Sequence, residues 1–367
     1  MGLRVPRSTP FDNAHLEGTA PCASESYMMH YSVPAENSYG NKQITMNFGT
    51  FVPQGWKMDL VGVPVEDQWT HLLESALHSE ALGYHSLWVY DHFHTIPVPT
   101  QESTFDAWTL MAALAATTST IRLGQMCTSV PYRSATHLAK VSASVDAISG
   151  GRLDVGIGAG WYEHEFNAYG YEFPGPKVRL DKLEEAAQIL IEMWTADEAH
   201  FSGEHYTADG AINRPRPIQD PYPPLWIAGA GEKRTLRIVA KYGDYANLSG
   251  GIDNFVHKSE VLREHCEAVG RPFGDVKRSG HLMGVIGMND VDLGRKLEVA
   301  AARRNVTPEE FANGDGLAGT VGEVVDLLGR FKDAGCSDML LYYYDLGEFG
   351  DEASMDVFAS EVLPQLV

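Results

Sequence analysis

The chain has 367 residues, of which 44% are hydrophobic, and this is enough apolar mass for a large buried core. No run of about 18 or more apolar residues occurs, so no segment is predicted to span a membrane. The formal net charge of -21 argues against nucleic acid and anionic membranes as partners, because both need a basic surface.

Four cysteines lie far apart in the chain, and none belongs to a CxxC pair: Cys22, Cys127, Cys266 and Cys336. This spacing is typical of a reducing compartment, so we predict a cytoplasmic protein without a disulfide framework or structural zinc.

The chain divides into a short irregular extension and one larger domain. Residues 1–43 contain scattered Pro, Ser, Asn and Gly and show no sustained hydrophobic period. We predict that this extension is disordered or lies along the surface. The regular pattern begins near Met46, so residues 44–367 are assigned to a single catalytic domain.

From residue 44 onward, strand-like and helix-like segments alternate. In chain order they are strand 44–52, helix 66–82, strand 85–92, helix 105–118, strand 120–129, a helix that ends at Gly150-Gly151, strand 152–160 and helix 179–194. After a Pro-rich insertion at 197–223 come strand 224–231, a helix from Glu232, strand 245–251, helix 258–270, strand 277–287, a helix capped by Thr320 and Glu323, strand 337–345 and helix 352–363.

Eight apolar strands that alternate with helices over this length predict an α/β fold, a (β/α)₈ TIM barrel with an inserted loop after helix 4. An open, doubly wound sheet is the alternative. It would require a G-x-G-x-x-G dinucleotide fingerprint, whereas here Gly156, Gly158 and Gly160 alternate and Trp161 stands at the sixth position. The sequence therefore favours the barrel.

Functional groups of a barrel lie just beyond the carboxyl ends of its strands. Strand 5 ends in Ala228-Gly229-Ala230-Gly231 before a helix, and small residues there leave backbone N–H groups open to an anion. A tight turn with positive φ explains the same residues equally well. Lys233 and Arg234 favour the anion site, because cations at a helix start are unfavourable beside the positive end of the helix dipole unless an anion lies there.

Two other strand ends carry candidate chemistry. Asp91-His92 after strand 2 suits acid–base catalysis or a cofactor contact, although a histidine at a strand end also serves as a structural cap. Glu163-His164-Glu165 after strand 4 is not predicted to bind a metal, because consecutive residues of one turn do not converge.

The motifs FGTFVPQG (48–55), LWVYDHFHT (87–95), IRLGQMCTSVPYR (121–133) and PLWIAGAGEKRTLRIVAKYGDYAN (224–247) together resemble the luciferase-like monooxygenase superfamily. Within it, the chain is similar to the branch that uses the deazaflavin coenzyme F420. The resemblance spans about residues 46–364 and implies the TIM barrel, with the deazaflavin lying across its mouth beside an open substrate cavity.

The resemblance also implies roles for single residues. Asp91 and His92 would flank the ring, and a cis peptide bond between Met126 and Cys127 would press against it. The remaining cofactor contacts are implied at Thr128, Ser129, Gly158, Gly160, Trp161, Ala228, Gly229, Ala230 and Gly231.

We therefore predict an F420-dependent oxidoreductase that transfers a hydride to or from a small organic substrate. His92 is predicted to carry the proton, with Glu163 second and Asp91 orienting the histidine. The alternatives are an FMN-dependent monooxygenase that uses reduced flavin and oxygen, and a non-catalytic ligand-binding barrel. We also predict a homodimer, and the insertion 197–223 is expected to cover the cavity.

Overall fold

The computed structural model describes residues 46–348 and 350–366. The predicted extension, residues 1–43, lies outside this range. Helices surround a closed sheet, and the predicted (β/α)₈ TIM barrel is confirmed. None of the described helices is both long and apolar enough to cross a membrane.

Within the described residues, eight parallel strands build the barrel. They are β1 Asn47–Phe51, β2 Ser86–Val89, β3 Arg122–Gln125, β4 Leu153–Gly158, β5 Leu225–Ala228, β6 Tyr245–Ser249, β7 Lys277–Gly287 and β8 Asp338–Tyr343. Each strand pairs with the next along the chain, and β8 pairs with β1, so the sheet closes.

Helices connect the strands. Those before β7 are Val65–Ala81, Ala107–Thr117, Ala135–Ser149, Glu163–Ala168, Pro176–Thr195, Thr235–Tyr242 and Ile252–Val269. Between β7 and β8 lie Asp290–Arg304, Pro308–Ala312 and Val321–Asp333, and after β8 the helical segments Ser354–Val357, Phe358–Val362 and Leu363–Leu366.

Local signals in the sequence account for several helix starts. The Asp106 side chain accepts a hydrogen bond from the Thr109 N–H (2.8 Å), and the Ser134 hydroxyl accepts one from the His137 N–H (3.2 Å). Glu323 accepts a hydrogen bond from the Thr320 N–H (2.8 Å), as the predicted cap requires. Such side chains satisfy N–H groups that have no partner within their own helix.

One indole fills much of the barrel interior near β2. Trp88 is fully buried, and a Cβ atom added at Gly49 or Gly124 would overlap its side chain. Glycines on the two neighbouring strands, β1 and β3, therefore make room for the large ring between them.

The insertion contains a hairpin, in which Ala199–Ser202 pairs with Thr207–Ala211. The prediction that the insertion covers the cavity is wrong. Gln219, in the same insertion, donates to the Leu153 carbonyl (2.6 Å) and accepts from Arg122 (3.1 Å). Leu153 and Arg122 begin β4 and β3, so the end of the insertion packs at the amino ends of the strands, and no residue of 197–223 lines the cavity at the barrel mouth.

Between β7 and β8 the sequence pattern predicts no helix or strand over residues 288–319. This segment contains the helices Asp290–Arg304 and Pro308–Ala312 and a strand, Leu317–Thr320, that pairs with β7. Its first helix is rich in charged residues and buries few side chains, so its apolar period is weak. Arg303 and Arg304 of this segment line a cavity at the barrel mouth, whereas no residue of the hairpin does.

Candidate active site

A cavity of about 380 Å³ opens at the carboxyl ends of the barrel strands. Ten of the predicted site residues line it, and they follow four strands. They are Asp91 and His92 after β2; Met126, Cys127 and Ser129 after β3; Gly158, Gly160 and Trp161 at β4; and Ala228 and Gly229 at β5. The predicted strand ends therefore converge on one cavity.

Four predicted residues do not line the cavity. Thr128 is buried, and its hydroxyl donates to the Gln125 side-chain oxygen. Ala230 and Gly231 lie beyond the cavity wall in the loop after β5, and Glu163 is exposed on the first turn of the helix Glu163–Ala168.

His92 is held on two sides. Its ring stacks on Trp56, with ring centroids 4.1 Å apart and planes 5° from parallel. Its Nδ1 atom lies 2.8 Å from Oε2 of Glu165, whose side chain is fully buried. Because the carboxylate fixes the proton on Nδ1, Nε2 is the nitrogen left for a ligand.

Glu165 is the functional residue that sequence reasoning missed. Besides His92, it accepts hydrogen bonds from the Phe93 N–H (2.8 Å), the His94 N–H (3.2 Å) and the Tyr132 hydroxyl (2.8 Å). Burial raises the pKa of this carboxyl, but the hydrogen bonds outweigh burial, and the pKa is lowered overall. The group is a buried carboxylate whose partners all donate to it.

The predicted role of Asp91 in orienting His92 is wrong. Both Asp91 oxygens bind the Arg133 guanidinium, at 2.6 and 2.9 Å, and Oδ2 also accepts the Ser129 N–H at 2.8 Å. Asp91 thus ties the end of β2 to the segment after β3, while Glu165 orients the histidine. Glu163 and Glu165 are two residues apart, and only their burial in the structure shows which of them contacts His92.

The peptide bond between Met126 and Cys127 is cis, as the resemblance implied. Both residues line the cavity. Burial, together with the nearby charge of Asp91, raises the pKa of the Cys127 thiol to about 12, so the thiol stays protonated at neutral pH. Cys127 is therefore a wall residue and not a nucleophile.

The alternating glycines of β4 serve protein packing. A Cβ atom at Gly156 would overlap the Gln125 carbonyl, and one at Gly158 would overlap Sγ of Cys127. At Gly160 a Cβ atom would lie 2.7 Å from the Phe166 ring. Close packing of neighbouring chain segments therefore accounts for these glycines, and Gly158 and Gly160 also line the cavity.

The opposite end of the cavity has open backbone donors. The loop after β5 turns at Gly229, whose φ is +126°, and leads into the helix Thr235–Tyr242. Among the described residues, no side chain caps that helix. The predicted cation Arg234 binds Asp181 instead (2.6 Å), so the anion site rests on backbone N–H groups.

The cavity also contains a neutral histidine that sequence reasoning missed. His281, on β7, shares a hydrogen bond of 3.1 Å with the Tyr90 hydroxyl. Burial, and secondarily the charge of Lys57, lowers the pKa of His281 to about 3. The strand period alone could have placed this side chain inside the barrel.

These residues fit a flat, anionic coenzyme. Trp56 Nε1 is buried and has no hydrogen-bond partner among the described residues, so the cavity wall retains an open donor. The uncapped helix at Thr235 suits a phosphate. Within the described ranges, no group of three or more His, Cys, Asp or Glu side chains is arranged to hold a metal ion.

Comparison with curated proteins gives relatives of two kinds. The F420-dependent glucose-6-phosphate dehydrogenase of Amycolatopsis mediterranei (strain U-32) is 31% identical over 219 residues, 57% of this chain and 62% of that protein. Pyrimidine monooxygenase RutA of Stutzerimonas stutzeri (strain A1501) is 32% identical over 178 residues, 46% of this chain and 48% of that protein. The match thus spans less than two thirds of each relative.

Solved structures share the fold. An F420-dependent secondary alcohol dehydrogenase in complex with an F420–acetone adduct superposes with a TM-score of 0.73 at 21% identity, covering 88% of this chain and 99% of that one. The EDTA monooxygenase EmoA of Chelativorans sp. BNC1 superposes with a TM-score of 0.72 at 16% identity, covering 88% and 93%.

The family assignment follows from a match along most of the described barrel. The model of the luciferase-like monooxygenase family matches residues 46–338, from the start of β1 to the first residue of β8. The chain therefore belongs to the luciferase-like monooxygenase family.

Proposed function

We propose that the protein is an oxidoreductase that uses coenzyme F420 and transfers a hydride between the deazaflavin and a small organic substrate. The observation that carries the proposal is His92, clamped between Trp56 and the buried Glu165 carboxylate, with Nε2 left for a ligand. Hydride transfer to a carbonyl or from an alcohol also moves one proton, and an imidazole so placed supplies or removes it.

The residues have separate tasks in this proposal. When bound, the deazaflavin supplies or accepts the hydride. His92 Nε2 donates a proton to the substrate oxygen or takes one from it, and Glu165 stabilises the imidazolium that forms when the nitrogen takes the proton. The backbone N–H groups from Gly229 to Thr235 would hold the anionic part of the coenzyme.

The second candidate is an FMN-dependent monooxygenase. It is favoured by the identity of 32% to a pyrimidine monooxygenase, which is close to the 31% identity to an F420-dependent relative. A flavin phosphate and a deazaflavin phosphate both suit the helix start at Thr235, so the choice depends on direct measurement.

Binding of the two coenzymes to the purified protein tests the proposal. We expect F420 to bind in equilibrium dialysis at least tenfold more tightly than FMN, and alcohols to reduce the bound deazaflavin. Substitution His92→Ala should retain F420 and lose turnover, because the backbone donors that would hold the coenzyme follow β5, whereas His92 follows β2. Tight FMN binding without F420 binding would contradict the proposal, and full turnover by His92→Ala would remove the proton donor.

We also propose that the protein is a homodimer in the cytoplasm. Light scattering of the purified full-length chain tests the homodimer, with a mass near 81 kDa expected from two chains of 40.3 kDa each. The cytoplasmic assignment is supported by the widely spaced cysteines.

A further inference from the structure

A second cavity of about 360 Å³ adjoins the one described above. The two share Trp56, Trp161 and Met283 as common walls. The second cavity is not lined by the loop after β5, so it lies away from the backbone donors assigned to the coenzyme. Its own cations are Lys57, Arg303 and Arg304.

Lys57 is a buried cation without a charged partner in contact. Its residue is 7% exposed, and its ammonium lies 4.3 Å from the Trp56 ring centroid and 5.4 Å from those of Tyr90 and Tyr342. No hydrogen bond or ion pair joins its Nζ atom to another residue of ranges 46–348 and 350–366. Aromatic faces only partly replace the lost hydration of an ammonium group.

Asp59, the acidic residue near Lys57, is already occupied. One oxygen accepts the Gly55 N–H, and the other accepts the Tyr342 hydroxyl at 2.8 Å. Burial raises the pKa of its carboxyl, which weakens it further as a counterion. Burial also lowers the pKa of Lys57 to about 7. The charge of Asp59 raises this pKa and the charge of Arg304 lowers it, but burial has the largest effect.

The two arginines come from the segment between β7 and β8. Arg303 Nη1 is buried and has no hydrogen-bond partner among the described residues, and the Arg304 side chain is exposed at the cavity edge. Three cations thus face one cavity with a single, already bonded carboxylate beside them. The chain as a whole has a net charge of -21, so this local excess of positive charge stands out and indicates a site for an anion.

We propose that this second cavity is the substrate subsite and that it binds a carboxylate or phosphate group of an anionic organic substrate. The inference rests on the proposed function, because it takes the first cavity as the coenzyme site. Trp56 contacts both His92 and Lys57, so the anionic group and the reacting oxygen of the substrate lie on either side of one indole.

Calorimetric titration of the F420-loaded protein tests the subsite with three small probes: benzoate, phenyl phosphate and the neutral benzamide. We expect at least one anion to bind tenfold or more tightly than benzamide, and the preferred anion identifies the group. Lys57→Met should weaken that anion at least tenfold, Arg304→Gln less, and F420 affinity should stay unchanged in both. Lys182 lies in the helix Pro176–Thr195 and lines neither cavity, so Lys182→Met should bind the anion and F420 like the wild type.

The pH dependence separates Lys57 from the arginines. Lys57 loses its charge as pH rises through about 7, so benzoate affinity should fall up to tenfold per pH unit above that value. Lys57→Arg, which stays charged, should bind benzoate without that decline. The charged and titratable groups around Lys57 are Asp59, Arg303, Arg304, His281 and the tyrosines 90, 342 and 344. Burial lowers the pKa of His281 to about 3 and raises the pKa of each tyrosine, so neither the histidine nor the tyrosines change charge near pH 7.

The subsite would be overturned if neither benzoate nor phenyl phosphate bound more tightly than benzamide, or if Lys57→Met bound the preferred anion as tightly as the wild type. Weaker F420 binding by Lys57→Met would assign the cations to the coenzyme instead and likewise overturn it. If F420 itself does not bind, the proposed function fails, while the same titrations of the protein without coenzyme still decide whether the cavity binds anions.

Discussion

At the scale of single residues, the site depends on which of two neighbouring carboxylates is buried. Glu163 is exposed, whereas Glu165 is fully buried and receives hydrogen bonds from a histidine, two backbone N–H groups and a tyrosine. Both residues are glutamates in the segment after β4, so the sequence alone gives no basis for choosing between them as the partner of His92. The difference arises from the direction in which the helix Glu163–Ala168 packs.

Substitution Glu165→Gln should damage both stability and turnover. An amide nitrogen would face hydrogen-bond donors, and each donor left without an acceptor costs about 1–3 kcal/mol. The His92 proton would no longer be fixed on Nδ1, and we expect turnover to fall about 10²- to 10⁴-fold. Thermal unfolding and steady-state kinetics measure the two effects.

The same substitution at Glu163 tests which glutamate acts in the site. The sequence predicted Glu163, whereas the structure places Glu165 against His92. Glu163→Gln should leave unfolding and turnover near wild type, because that side chain lies outside the cavity. A large loss of turnover in Glu163→Gln with little in Glu165→Gln would restore the original prediction.

At the scale of elements, the barrel strands were predictable and the segments around the mouth were not. The apolar runs that became β2, β4 and β8 are bounded by clear turn residues, and burial on both faces leaves them little choice of conformation. The helix Asp290–Arg304 was missed because its charged face dominates its composition. That helix supplies Arg303 and Arg304 to the second cavity, so the proposed substrate subsite was the least predictable part of the site.

The turn after β5 makes a testable contribution to coenzyme binding. Gly229 has a φ of +126°, and an added Cβ would lie 3.2 Å from Cγ2 of Thr235, at the helix start. Gly229→Ala should therefore distort the turn and weaken F420 binding at least tenfold in equilibrium dialysis.

A matched glycine separates coenzyme binding from general backbone strain. Gly170 also has a positive φ, +76°, but nothing lies within 4 Å of its added Cβ, and it lines neither cavity. Gly170→Ala should lower stability by about 1 kcal/mol and leave F420 affinity unchanged. Equal F420 affinity in the two variants and the wild type would remove the turn from the coenzyme site.

At the scale of the whole barrel, stability and chemistry lie at opposite ends. Near the amino ends of the strands, Arg122 binds Asp154 through two hydrogen bonds, of 2.7 and 3.0 Å, and Asp154 also accepts the Trp226 indole N–H. This cluster joins β3, β4 and β5 and has no contact with the cavity at the mouth. Residues there hold the barrel closed without touching a ligand.

Substitution Asp154→Asn should therefore destabilise the fold and spare binding. Removing the carboxylate leaves a partly buried guanidinium without its counterion, and the expected cost is about 3 kcal/mol, at the low end for buried pairs because 24% of the Arg122 side chain is exposed. Chemical denaturation measures the loss, and F420 affinity below the transition should equal that of the wild type.

An exposed ion pair is the control for this effect. Asp197 is 84% exposed and binds Arg214 and Arg216 in the insertion. Asp197→Asn should cost less than about 1 kcal/mol. A similar loss of unfolding free energy in both variants would mean that burial does not increase the cost of breaking the Arg122–Asp154 pair.

The end of the insertion has a practical consequence. Gln219 binds the Leu153 carbonyl and Arg122 at the amino ends of the strands, and its neighbour Asp220 is exposed there. Because this part of the insertion packs opposite the mouth, a tether attached at Asp220 would immobilise the protein on a solid support with its two cavities facing the solution. Reagents would then reach both cavities without passing the support.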